Sequence, residues 1–197
     1  DQLCWCELEN KDEITVELFC DEVKSARTAL TNEYWDYAGL LSVPLDKKES
    51  LLADLDGIRV NHGCYSEIKS NQLTHSPKRK TATDWLRLLP VDKSSKRIFF
   101  NVVGINRTVL CNEAFGDGRF PVIYNRFFRI AIKQLLKYCF CEYRSIIVNA
   151  VYHDNGDIEH DRYFPWHSIH KIDIEDEKIR FLDSEIKFID SDHRKTE

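Results

Sequence analysis

An alternating apolar run that ends in two adjacent acids is the first place in this chain where chemistry could be done. In ITVELFCDEVKS, Ile14, Val16 and Leu18 alternate with other residues, and Asp21 and Glu22 follow. Two more acids stand in or beside apolar stretches: Glu67 in GCYSEIKS and Asp154 at the end of RSIIVNAVYHD. Carboxylates converging from several strand ends suit hard divalent cations, because Mg²⁺ and Mn²⁺ take oxygen ligands. Two-metal hydrolysis holds its ions about 4 Å apart between such groups. A strand end also holds a ligand rigidly, since the core fixes its backbone. An acid at a strand end is equally what the chain presents where it meets water. With spacings this wide, both readings stand open.

If the first strand ran on past Asp21, Glu22 would occupy the opposite face. A strand ending at Asp21 would let both acids reach one site. Lys24 and Lys69 lie close by in sequence, as phosphate-neutralising groups or as surface lysines. Arg126, Arg129, Lys133 and Lys137 recur at spacings of three, four and four. On a helix that makes one stripe. Such a stripe is either a phosphate-contacting surface or an ordinary solvated face.

Other chemistry-bearing types are less organised. His153, His160, His167 and His170 fall in one short region, but no HExxH pattern is present. His153, beside Asp154, has the chemistry to shuttle protons to a metal-bound water. Cys4-Trp5-Cys6 and Cys139-Phe140-Cys141 lack the C-x₂-C spacing of zinc sites. Trp35, Trp85 and Trp166 are base-stacking candidates or core residues. The G-x-G in AFGDGRF follows no strand-to-helix fingerprint, so no nucleotide-binding role is assigned to it.

The elements that must position these residues are legible in outline. Residues 13–20 read as a strand by alternation, and 34–43 as a second strand ended by Pro44. LDKKESLLADLDGI reads as a helix with Leu45, Leu51, Leu52, Leu55 and Ile58 on one face and Gly57 near its end. Residues 63–70 read as an extended piece running into a loop, and SPKRK as a basic connector. TATDWLRLL reads as a short helix capped by Thr81 or Thr83 and stopped by Pro90. Residues 96–106 and 144–154 read as buried strands from their apolar runs. The long helix falls over residues 121–140, with Pro121 in its first turn. KIRFLD and IKFID are two short strand-like pieces. The order predicts an α/β chain of one domain, a mixed sheet flanked by helices.

Bulk composition sets the outer limits. At 43% hydrophobic residues, the 197-residue chain folds and is not a disordered polymer. Its net charge of −5 argues against a protein that coats nucleic acid non-specifically. It leaves room for an enzyme that cuts nucleic acid with an acidic metal site. No apolar run approaches bilayer-spanning length, and no secretory h-region opens the sequence. The seven cysteines are odd in number and lie mostly in apolar runs, which leads us to expect reduced thiols and a cytoplasmic protein.

Taken in order, these stretches resemble the domain-of-unknown-function family 3800 of mostly bacterial RNase H-like domains. The resemblance lies in VELFCDEVKS, in Gly39 with Val43-Pro44 and the amphipathic helix after it, in HGCYSEIKS against a His-x-x-x-Glu pattern, and in YNRFFRIAIKQLLKY followed by a strand ending at an Asp. It covers roughly residues 13–190. It implies an RNase H-like fold with Asp21 as the central metal ligand and Glu67 and Asp154 beside it. Glu22 is a further metal candidate, and Mg²⁺ or Mn²⁺ is the implied cofactor. Lys69 and the Arg126, Arg129, Lys133, Lys137 stripe are the candidate contacts to nucleic acid. Two departures stand out. Val23-Lys24 replaces the family's Ser-Gly, and IDSDHRKTE supplies no counterpart to the closing Leu-Gln-x-x-Asp helix. The expected function is a divalent-metal-dependent phosphodiester hydrolase acting on RNA or DNA. The alternative is a catalytically degenerate binding or assembly module. A histidine-ligated metalloenzyme is a third, weaker expectation.

Overall fold

The computed structural model describes residues 11–27, 32–68, 73–74, 76–89, 98–111, 113–115, 120–154, 176–182 and 186–189. Within these, the side chains of residues 22–27, 115, 120–122, 124–125, 154 and 188 are left out of the description. The chain divides into two compact units. One comprises residues 1–42 and 100–197 and carries the sheet. The other, residues 43–99, is inserted between two of its strands.

Among the described residues, six strands form the sheet: β1 (Lys11–Arg27), β2 (Tyr34–Pro44), β3 (Phe99–Asn106), β4 (Tyr143–Asp154), β5 (Ile179–Phe181) and β6 (Ile186–Ile189). Their order is β3-β2-β1-β4-β5, with β6 also paired to β4. β1 and β4 run parallel, as do β4 with β5 and β4 with β6. β2 and β3 run in opposite directions: the Arg107 N–H donates to the Tyr34 carbonyl at 2.7 Å, while the Phe100 ring lies against Gly39. The sheet is therefore mixed, as the sequence predicts.

Strand alternation gives this sheet two faces. On one, Ile14, Val16, Leu18 and Cys20 of β1 are buried, level with Ile146, Val148, Val151 and His153 of β4. α3 (Phe120–Cys139) covers this face, its Phe128 ring 5.9 Å from that of His153. The helix forms because Phe128, Ala131, Ile132, Leu135 and Leu136 recur at three- and four-residue intervals; all five are buried, as is Ile123 nearer the start of the helix. Burying side chains of this size stabilises by about 2 kcal/mol each, before the entropy of ordering them is counted.

The other face carries Thr15, Glu17, Phe19 and Asp21 of β1. A bulge interrupts its ladder: Val16 faces Val148 but Glu17 faces Ala150, so Asn149 is an extra residue on β4. The Asn149 amide donates to Glu17 at 3.0 Å. That bond partners a carboxylate which is only 3% exposed, where an unpartnered one would be costly.

In the sheet, two features depart from the sequence reading. β1 extends to Arg27, so Asp21 and Glu22 lie within a strand and do not end it. β3 is half open, with Phe100 54% and Val102 50% exposed, because it stands at one end of the strand path. β4 lies inside the path and is buried as expected.

In the inserted unit, α1 (Lys48–His62) runs through Gly57 and ends at Gly63, whose left-handed φ of 61° closes the helix. Leu45 precedes it in a 3₁₀ turn and is exposed, as is Leu52, while Leu51 and Arg59 are buried. Leu52, 100° around the helix from Leu51, falls outside the packed side of α1, which is narrower than that of α3. α2 (Ser76–Leu88) begins inside the supposed basic connector. Thr81 is not its cap: it is buried mid-helix and donates its hydroxyl to the Pro77 carbonyl at 2.9 Å.

Candidate functional site

Asp21 is an exposed residue on the face of the sheet opposite α3. It lines a cavity of about 380 Å³ together with Phe19, Tyr37, Gly39, Phe100 and Val102. Gly39 makes the floor. It carries no side chain, so the Phe100 ring and the Asp21 carbonyl stand 3.7 Å from where a Cβ would project. Beyond Phe19 the same face continues onto β4: the Phe19 and Tyr152 rings stack at 4.9 Å with planes 13° apart. The Lys187 ammonium lies 5.7 Å from the Tyr152 ring centre. On the other side, Trp35 and Tyr37 stack at 6.2 Å above Gly104, where any Cβ would meet their rings at 3.1 to 3.3 Å. A Cβ there would require the rings to give by a few tenths of an ångström.

The β1–β4 register sets Cys20 opposite His153, so Asp21 and Asp154 are the next residues on neighbouring parallel strands. Their backbones are therefore about one strand spacing, roughly 4.8 Å, apart. The side chains of Asp154 and Glu22 lie outside the described residues, as does all of Lys69. Glu67 belongs to the inserted unit, on an irregular exposed segment, and its carbonyl accepts a 2.7 Å bond from the Lys78 ammonium. Among the described residues, no three His, Cys, Asp or Glu side chains are grouped closely enough to hold a metal ion. Glu17 shares Asp21's face, but four residues of strand, about 13 Å, separate them.

The basic stripe is engaged at both ends. Arg126 donates to the Ala114 carbonyl at 2.8 Å, and Lys137 pairs with Asp176 at 3.7 Å. Between them, Arg129 and Lys133 are half-buried, so the stripe is not a uniformly solvated face. His153 is 1% exposed and packs against Phe128 on the α3 side. That placement takes it out of solvent and away from a proton-shuttling position. His160, His167, His170 and Trp166 lie outside the described residues, as do Cys4 and Cys6.

Polar groups of the inserted unit hold its own helices together. The buried Arg59 donates to the carbonyls of Cys64 at 3.3 Å and Ser66 at 3.1 Å, and its guanidinium lies 4.6 Å from the Trp85 ring centre. Trp85 in turn donates to the Leu55 carbonyl at 3.1 Å. Its ring is a structural platform for Arg59. His62 and Arg87 each contact Asp84 at 2.7 Å. The hydrogen bond from His62 holds the Asp84 carboxyl below its ordinary value against the opposing effect of burial, and Arg87 acts in the same sense as His62.

Sequence reasoning missed Phe19, Tyr37, Phe100, Val102 and Tyr152 as neighbours of Asp21. The available signal was the second half of each alternation: on β1, the residues that alternate with Ile14, Val16, Leu18 and Cys20 include both Phe19 and Asp21. Among the described residues, no helix is long and apolar enough to cross a membrane. No family model matches the chain, and no curated protein matches it.

Proposed function

We propose that the chain is an RNase H-like, divalent-metal-dependent phosphodiester hydrolase acting on RNA or DNA. The observation that carries this reading is Asp21: an exposed carboxylate on a central strand, beside a cavity, with Asp154 the corresponding residue on the adjacent parallel strand. Asp21 and Asp154 follow the last paired residues of two parallel strands, and α/β sheets take their ligands near the carboxyl ends of such pairings. The donor chemistry fits a hard divalent cation such as Mg²⁺ or Mn²⁺, which takes carboxylate oxygens held on rigid backbone. Asp21 would hold it, and Asp154 is the second candidate ligand from the same sheet. When bound, such ions activate water and neutralise charge on the leaving oxygen. In the reaction, a water oxygen bonds to phosphorus and its proton passes to solvent, while the bond to the leaving oxygen breaks and that oxygen takes up a proton from solvent. Asp21 contributes by fixing where that phosphorus stands relative to the sheet.

A binding or assembly module is the competing reading. It is favoured by Val23-Lys24 in place of Ser-Gly and by the lack of a grouped metal-ligand set among the described residues. Cleavage of labelled single- and double-stranded RNA and DNA in Mg²⁺ and Mn²⁺ decides between them. The hydrolase predicts metal-dependent cleavage that Asp21→Asn abolishes with little change in Tm. A wild-type chain inactive on all four substrates would leave the module.

A further inference from the structure

Beyond the carboxylates, the sheet face around Asp21 has a composition of its own. From β3 across to β6 at one level it carries Phe100, Gly39, Phe19, Tyr152 and Lys187. Four strand steps make this track about 19 Å long. Phe100 and Val102 are half exposed on this face. Lys187 is exposed at the β6 end, and exposed Arg180 stands level with Ile147, and so with Thr15 of the same face. The face thus has planar rings and a hollow in the middle and cations toward one side.

We propose that this face binds single-stranded nucleic acid, with an unpaired base in the hollow over Gly39 against Phe100 and Tyr37. The inference deepens the hydrolase reading and rests on it for the class of polymer. Four features argue for this occupant. A volume of about 380 Å³ falls in the range of small-ligand sites, and a flat protein partner needs no such hollow. A neutral base suits a hollow lined mainly by apolar and aromatic residues, with Asp21 the charged residue among them. The phosphates have their own partners in Lys187 and Arg180. Aromatic side chains stack on any base whose face is free, and in a duplex those faces are already stacked on neighbouring bases. The enzyme would therefore act on single strands, or where a base is unpaired beside the scissile phosphate.

The test is fluorescence anisotropy of the full chain with a short fluorescein-labelled oligouridylate in EDTA, so that no cleavage intervenes. Phe100→Ala should weaken binding at least about fivefold, the lower end of what one base–aromatic stack contributes. Gly39→Val should weaken it similarly by filling the hollow, and its Cβ meets nothing closer than 3.7 Å. A blunt duplex of equal length should bind more weakly than the single strand, and both variants should keep the wild-type circular dichroism. The proposal is overturned if the wild type does not bind, if both variants bind as the wild type does, or if duplex and single strand bind equally. Binding that follows these expectations in a chain that never cleaves with Mg²⁺ or Mn²⁺ would sink the hydrolase and keep the face. Cleavage by the wild type, with metal-free binding unchanged in both variants, would do the reverse.

Discussion

β3 and β4 look alike in the sequence and behave differently in the fold. FFNVVGIN and YRSIIVNAVYHD are both apolar runs of strand-forming residues. β4 has β1 on one side and β5 and β6 on the other, and Ile146, Val148 and Val151 are buried on the α3 face. β3 has β2 as its partner in the strand path and leaves Phe100 and Val102 half exposed. The difference lies in position within the sheet, which depends on contacts between residues far apart in the chain. An apolar run at the end of a sheet is thus available for something other than the core, and here it borders Asp21.

Substitutions on the two strands should separate these roles. Ile146→Ala on β4 should cost about 3 kcal/mol in urea unfolding, because it empties space beneath α3. A cost under about 1 kcal/mol would mean that α3 does not seal that face. Gly104→Ala should cost less, about 1 kcal/mol, since the Trp35 and Tyr37 rings must give way by a few tenths of an ångström. Near-ultraviolet circular dichroism should report the displaced rings, and an unchanged spectrum would contradict the stack. Phe100→Ala should be smallest, about 0.5 kcal/mol, as for other exposed sites. A loss as large as that of Ile146→Ala would show that Phe100 belongs to a sealed core and is not a binding surface.

The same contrast explains what the sequence could reveal. The α/β class, the mixed sheet, α3 and β2 follow from local periodicity, and all are present. The buried half of β1 was readable because Ile14, Val16 and Leu18 alternate cleanly. Its length was not: DEVKSAR carries four charged residues in seven and no apolar alternation, yet it stays in the strand. The start of α2 was hidden because Pro77 and a basic run look like a connector, although proline is compatible with a first helical turn. Asp21 was legible as an acid next to an apolar run. The aromatic surround was not, because Tyr37, Phe100 and Tyr152 come from three other strands and only the strand order brings them beside Asp21.

That placement makes Asp21 the residue on which the account rests. Calorimetric titration of the full chain with Mn²⁺, wild type against Asp21→Asn, tests it most directly. The account predicts saturable Mn²⁺ binding by the wild type and its loss in Asp21→Asn, with the two proteins melting at nearly the same temperature. Equal Mn²⁺ binding by both, or none by the wild type, would contradict it.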